Sequence, residues 1–132
     1  MNNRWIEVNK SNLRENLDLM VRDDLIKLVI DGRKTHTSIS FMEQIEKSLQ
    51  FPITCTGNVL IFEDLIRDLS WLPKEKGVCI WITDYAELLK EDIRSKEILE
   101  EIFKGEVFPF WETDVTKYVK GGKPREFYVI VS

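Results

Sequence analysis

Val78-Cys-Ile-Trp-Ile-Thr83 is the stretch on which the fold turns. Five apolar residues and a threonine run without the polar alternation of a strand that has one wet face. Such a run needs cover on both faces and reads as a buried strand. Two further runs are short, apolar and β-rich: Leu25-Ile-Lys-Leu-Val-Ile30, which Asp31-Gly32 ends as a turn signal, and Phe127-Tyr-Val-Ile-Val131.

Helical patterns separate these runs. Ser40 and Glu43 fit a capping box, and Phe41, Ile45 and Leu49 recur at helical spacing, which predicts a helix over 40–50. Pro52 breaks it, because proline lacks a donor and clashes with the preceding turn. A loop follows over 53–57. Asn58 is a good N-cap for a second helix over 58–71, in which Phe62, Leu65, Ile66 and Leu69 form one apolar stripe. After the central strand, Asp84 is expected to cap a short helix over 85–92. A longer helix over 95–103 carries Ile98, Leu99, Ile102 and Phe103, and Gly105 is expected to stop it. The segment 106–125 reads as irregular, with Pro109, Gly121-Gly122 and Pro124 among Val107, Phe108, Phe110, Trp111 and Tyr118.

Buried strands joined by helical crossovers define an α/β domain, here a small three-stranded parallel sheet with helices packed around it. That domain spans 25–132, with 106–125 as an insertion before the last strand. Residues 1–24 are expected to be an extension docked on it. Within the extension, Asn12 and Glu15 could cap a helix across Leu13, Leu17 and Met20.

The chain has 132 residues, 43% of them apolar and 32% charged, a mixture suited to one globular domain. No stretch approaches the roughly 18 continuous apolar residues of a membrane helix. The opening MNNRWIEVNKSNLREN lacks the apolar run and cleavage site of a signal peptide, so residence in the cytoplasm is expected. Cys55 and Cys79 have no CxxC spacing and read as reduced core residues. Net charge is −4, from 19 basic and 23 acidic residues, with no basic run longer than Arg33-Lys34. That balance argues against nucleic acid as a direct partner and suits a basic protein.

No catalytic constellation emerges. The single histidine, His36, falls in a polar turn. Several closely spaced His or Cys ligands, as zinc requires, are lacking, and so are GxSxG, HExxH and the phosphate loop. Gly121-Gly122-Lys123 runs into Pro124 and fails as a phosphate loop. Neither a cofactor nor a metal is expected, and a binding protein is the better reading than an enzyme.

The helix over 58–71 is more informative on its far side. Opposite the apolar stripe lie Leu60, Asp64, Arg67, Asp68 and Trp71, with Glu63 beside them. An acidic face carrying a Leu and a Trp has the makeup of an interface. The plain alternative is a solvated face, with Trp71 packed into the loop that it begins.

From Leu25 to Ser132 the sequence resembles the barstar family of intracellular ribonuclease inhibitors. The resemblance is carried by Val29-Ile-Asp-Gly32, Ser38-Ile-Ser40, Phe51-Pro52, Gly57-Asn58, Phe62, Asp64-Leu65, Arg67-Asp-Leu-Ser-Trp-Leu72 and Tyr128-Val-Ile-Val-Ser132. It implies a three-stranded parallel sheet with surrounding helices. It also implies inhibition by an acidic helix and its preceding loop, with Asp64 at the position of the family's phosphate-mimicking aspartate. The implied partner-binding set is Thr54, Cys55, Gly57, Asn58, Leu60, Glu63, Asp64, Arg67, Asp68 and Trp71. Several positions depart from the founding inhibitor. Leu60 replaces an acid, Thr54 and Cys55 replace two tyrosines, Glu63 replaces a tryptophan, and Gly105 falls near an acid of the last helix. The scaffold is kept and much of the interface is rewritten. The expected partner is a protein, a basic ribonuclease or another toxin, bound by a chain that is a monomer when free. An interaction module that regulates or assembles a partner is the alternative.

Overall fold

The 78–83 run lies inside a four-stranded, all-parallel sheet. The computed structural model describes residues 3–132, so residues 1 and 2 of the expected extension lie outside the described residues. The strands are β1 (Arg4–Glu7), β2 (Leu25–Asp31), β3 (Gly77–Thr83) and β4 (Phe127–Val131), in the order β1-β4-β3-β2. The helices are α1 (Leu13–Met20), α2 (Ser38–Ser48), α3 (Val59–Ile66), α4 (Ile93–Ile102) and α5 (Val115–Tyr118). In the central pairing Ile80 lies beside Leu28 on one side and Val129 on the other, so β3 is hydrogen-bonded along both edges.

The fourth strand corrects the expectation of three. Arg4-Trp-Ile-Glu7 is a short edge strand whose outer residues are exposed, and among the described residues it pairs only with β4. Two apolar residues between charges carry too little pattern to be read as a strand. Asn3, 8% exposed, fixes it in place. Its Oδ1 accepts from Phe127 N at 2.8 Å, and its Nδ2 donates to Arg125 O at 3.1 Å.

The sheet's two faces are unequal. Leu28, Ile30, Ile80, Ile82, Phe127 and Val129 meet α2, α3 and α4 in the main core, where Ile45, Phe62 and Ile66 are fully buried. The other face is smaller: Leu25, Cys79, Tyr128 and Ile130 lie under Leu19 and Met20 of α1. The predicted inner face of α1 is partly wrong, because Leu13 and Leu17 are 44% and 50% exposed while Asn16 is buried. Asn12 does not cap α1 with its side chain. Its Oδ1 accepts from Asn9 N and its Nδ2 donates to Glu7 O, which spends both groups on the preceding turn.

Four local expectations are corrected. Helix α2 starts at Ser38, capped by Thr37 Oγ1, which accepts from Ser40 N at 3.0 Å. Thr37 and Ser40 are both acceptable caps in sequence, and the earlier one wins here. Helix α3 ends at Ile66 because Leu69 adopts a left-handed backbone (φ 47°), so the 58–71 helix is shorter than predicted. The short helix over 85–92 is one 3₁₀ turn, Tyr85–Glu87, after a left-handed Asp84. This turn passes close to Gly32, where a Cβ would stand 2.2 Å from Asp84 O and 2.6 Å from Thr83 O, so the approach needs glycine.

The fourth correction concerns 106–125. Gly105 does not stop the chain's helical course. The wide turns Phe103–Val107 and Phe110–Asp114 continue it into α5. Pro109 is accommodated between the two wide turns with ordinary helical dihedrals. Val107, Phe108, Trp111 and Val115 are buried along one side, as a helical stripe. The insertion therefore fills core, and the low helix propensity of Gly and Pro masked this in the sequence.

Arg22, just after α1, joins Asp24 at 2.6 Å and Glu126, before β4, at 2.9 Å. Hydrogen bonds from the Arg22 guanidinium hold the Glu126 carboxyl below its ordinary 4.5. A depressed folded value means this stabilisation is complete above the unfolded pKa and is lost as pH falls through the folded one. Glu126→Gln should thus lower stability at neutral pH and narrow the gap to wild type as acid is added, read by urea melts from pH 7 downward. A constant gap across that range would assign the loss to packing instead.

Candidate partner-binding surface

The loop between α2 and α3 is built rigid. Glu46 of α2 accepts a hydrogen bond from Cys55 N, and Asn58 N donates to Cys55 O at 2.9 Å. Thr56 and Gly57 have positive φ, 51° and 75°. A Cβ on Gly57 would come within 2.7 Å of Ile39 Cγ1, so both the dihedral and the space call for glycine. Asn58 then caps α3 as predicted, its Oδ1 accepting from Leu60 N at 3.0 Å and Ile61 N at 3.3 Å.

Phe62 and Ile66 anchor α3 in the core, with Leu65 half-buried against it. That packing turns the opposite face outward. Leu60 is 67% exposed and the Asp64 side chain 81% exposed. Asp68 is exposed on the turn after the helix. Arg67 reaches Asp64 at 3.5 Å and Glu106 at 3.7 Å, tying the helix end to the segment after α4. Thr54 and Asn58 are exposed, and Gly57 and Glu63 half-buried.

Two residues of the implied set sit differently. Cys55 is 1% exposed, and its side chain belongs to the core under the loop. Trp71 lies beyond the end of α3 and so does not share its outer face. Its Nε1 donates to Leu49 O at 2.8 Å and its ring packs edge-on against Phe51 at 5.6 Å. Both partners stand at and just after the end of α2, so Trp71 packs back across the domain and not into the loop that it begins.

The structure adds a neighbour that the sequence concealed. Gly57 and Val59 face Ser95, Ile98 and Leu99 of α4 across a cleft of about 220 Å³. Ile98, read as core, is 39% exposed there, and Ile39 is 48% exposed. Glu97, Glu100 and Glu101 of α4, with Lys104 and Gly105 of the wide turn after it, line an open depression of about 550 Å³. The signal available in sequence was the acidic side of α4, which ordinary solvation explains equally well.

Burial raises the Cys55 thiol to about 12, helped by Glu46, and the Cys79 thiol to about 11. Both thiols should therefore resist a disulfide reagent at pH 8 in the folded chain and react at once in denaturant. Rapid labelling of Cys55 under native conditions would mean that the loop opens. Among the described residues, no three His, Cys, Asp or Glu side chains gather as a metal site, and no helix is long and apolar enough to cross a membrane.

A comparison with protein families matches residues 26–131 to the family described as Barstar (barnase inhibitor). The match covers most of the chain, and the chain belongs to the barstar family. Members of that family are inhibitors rather than enzymes. No curated protein and no solved structure matches.

Proposed function

We propose that this chain is an intracellular inhibitor of a ribonuclease toxin made by the same cell, and that it acts by seating α3 and the loop before it in the toxin's active cleft. The family supports a ribonuclease as target. The observation that carries the mechanism is the exposed Asp64, one turn beyond exposed Leu60, on a helix held by a rigid loop and a buried underside. A cleft that binds RNA must be cationic. Between Thr54 and Trp71 the chain offers three acids, Glu63, Asp64 and Asp68, against one base, Arg67. Leu60 and the apolar edge of the α3–α4 cleft would supply the area to bury, and the acids the orientation. Occlusion needs no chemistry from the inhibitor, in keeping with the absence of a recognised catalytic set.

The test is inhibition at defined stoichiometry. Barnase and a panel of barnase-type ribonucleases are titrated with the chain while cleavage of a fluorogenic RNA is followed. At least one enzyme should lose its activity at a one-to-one ratio. If every enzyme cleaves at its full rate in excess chain, the inhibitor reading fails in favour of a module that binds for assembly or regulation.

A further inference from the structure

Arg125 is 5% exposed and has no acid within ion-pairing distance among the described residues. Its partners are neutral carbonyls: Nη1 donates to Pro73 O at 2.9 Å and Lys76 O at 2.7 Å, and Nη2 to Leu69 O at 3.4 Å. Its Nε is buried with no partner at all. The guanidinium stacks 4.9 Å from the ring of Trp111. A buried cation with no acid in contact is costly, and burial lowers the Arg125 pKa from its usual value, against a smaller opposing pull from the more distant Glu75.

Arg125 lines a groove of about 250 Å³ between the turn after α3 and the insertion. Arg67, Lys74, Lys120 and Lys123 also line it, with Asp68 as the one acid. Of these cations only Arg67 has an acid within 4 Å among the described residues. Phe110, Val115 and Val119 provide an apolar wall. Five cations therefore converge on one groove of a chain whose net charge is −4. Gly121, at φ 72°, makes the turn that carries Lys120 and Lys123 along the groove.

We propose that this groove binds a small phosphorylated ligand, with Arg125 beneath the phosphoryl group, Lys74, Lys120 and Lys123 around it, and the organic part against Phe110 and Val119. A phosphoryl group fits better than a carboxylate. It carries about −1.5 to −2 charge and three acceptor oxygens, which suits several free cations better than one carboxylate does. Arginine's planar fork suits it as well. The groups that would hold the phosphoryl, Arg125, Lys74, Lys120 and Lys123, lie outside the implied partner-binding set, although Arg67 and Asp68 of that set also line the groove.

Calorimetric titration with inorganic phosphate, phenyl phosphate and benzoate tests this. Phenyl phosphate should bind saturably and more tightly than phosphate, and benzoate should be weakest. The Lys120→Ala/Lys123→Ala double variant removes only exposed side chains. It should bind phenyl phosphate at least ~10-fold more weakly at an unchanged melting temperature. Added potassium chloride should weaken wild-type binding more than that of the double variant. Leu60 is exposed on α3 and does not line the groove, so Leu60→Ala should bind phenyl phosphate as wild type does, which separates this site from the inhibitory one. Arg125→Met should lose binding if it folds, and the lysine pair carries the test if it does not. The proposal is overturned if phenyl phosphate fails to saturate at roughly millimolar concentration, if benzoate binds as tightly, or if the double variant binds unchanged.

Discussion

Trp111→Ala should lower the stability of the folded chain by about 3–5 kcal/mol, the range for large buried aromatics cut to alanine. The side chain is 3% exposed, and its Nε1 donates to Ile66 O at 2.9 Å. Ile66 is the last residue of α3, so this bond satisfies a helix-end carbonyl that would otherwise be orphaned. Phe110 packs edge-on to the indole at 4.9 Å, and Arg125 lies over its ring. Truncation opens a cavity, strands the carbonyl and removes the platform of a buried cation. Trp111→Phe separates these effects: it keeps most of the volume and loses the hydrogen bond, at about 1–3 kcal/mol. Asp68→Ala, on the exposed turn, should stay within about 0.5 kcal/mol. Urea melts of the three variants give the order directly. A Trp111→Ala midpoint equal to wild type would mean that the insertion is not part of the core. Folded domains have only about 0.05–0.15 kcal/mol of stability per residue, so the predicted loss is a large share of the whole.

That residue marks where the sequence was hardest to read. The three long strands were legible because β3 and β4 are apolar throughout, and only a doubly covered strand is written that way. The core face of α3 was legible from Phe62 and Ile66, one turn apart, and Leu69 is buried as predicted although it lies beyond the helix. The insertion was not, because Gly105 and Pro109 are local breakers whose cost tertiary packing overrides, while Gly121-Gly122 do mark the turn after α5. Four buried side chains on one side outweigh two poor helix formers. Strand β1 was hidden for another reason: an edge strand of two apolar residues has no pattern of its own, and it is held by β4 and by Asn3.

The candidate surface divides in the same way. Leu60 and Asp64 follow from helical geometry once Phe62 and Ile66 face inward. The fate of Trp71 does not, because a left-handed Leu69 ends the helical register before it. Cys55 was legible as a reduced core residue from cysteine usage, and its burial goes against the partner-contact role that the resemblance implies. The contribution of α4 depends on which helices are neighbours, a tertiary fact with no local signature.

Asp64→Ala should raise the dissociation constant for the target ribonuclease at least ~30-fold while leaving fold stability unchanged, at about 1.4 kcal/mol per decade. Asp64 is 81% exposed and, among the described residues, its carboxylate pairs with Arg67 alone, at 3.5 Å. An exposed pair of that kind contributes about 0–1 kcal/mol, so neither deleting nor re-pairing the carboxylate disturbs the fold. Against a cationic cleft the balance changes. The carboxylate would be desolvated opposite Arg or Lys of the enzyme, and removing it leaves those cations buried and unpaired. Such losses are about 2–5 kcal/mol or more, a range to which the founding complex of this family itself contributes. On the proposed reading, Leu60 in place of the founding inhibitor's acid would concentrate the burden on Asp64. Glu91→Ala lies away from this helix and is the control, with an expected change below about 0.5 kcal/mol. Added salt should slow association of the wild type, because opposite fields steer the encounter. Stopped-flow association and a competition measurement of the dissociation constant give both numbers. Binding by Asp64→Ala as tight as that of wild type would remove α3 from the inhibitory surface and leave the acidic side of α4, Glu97 and Glu101, as the next element to test.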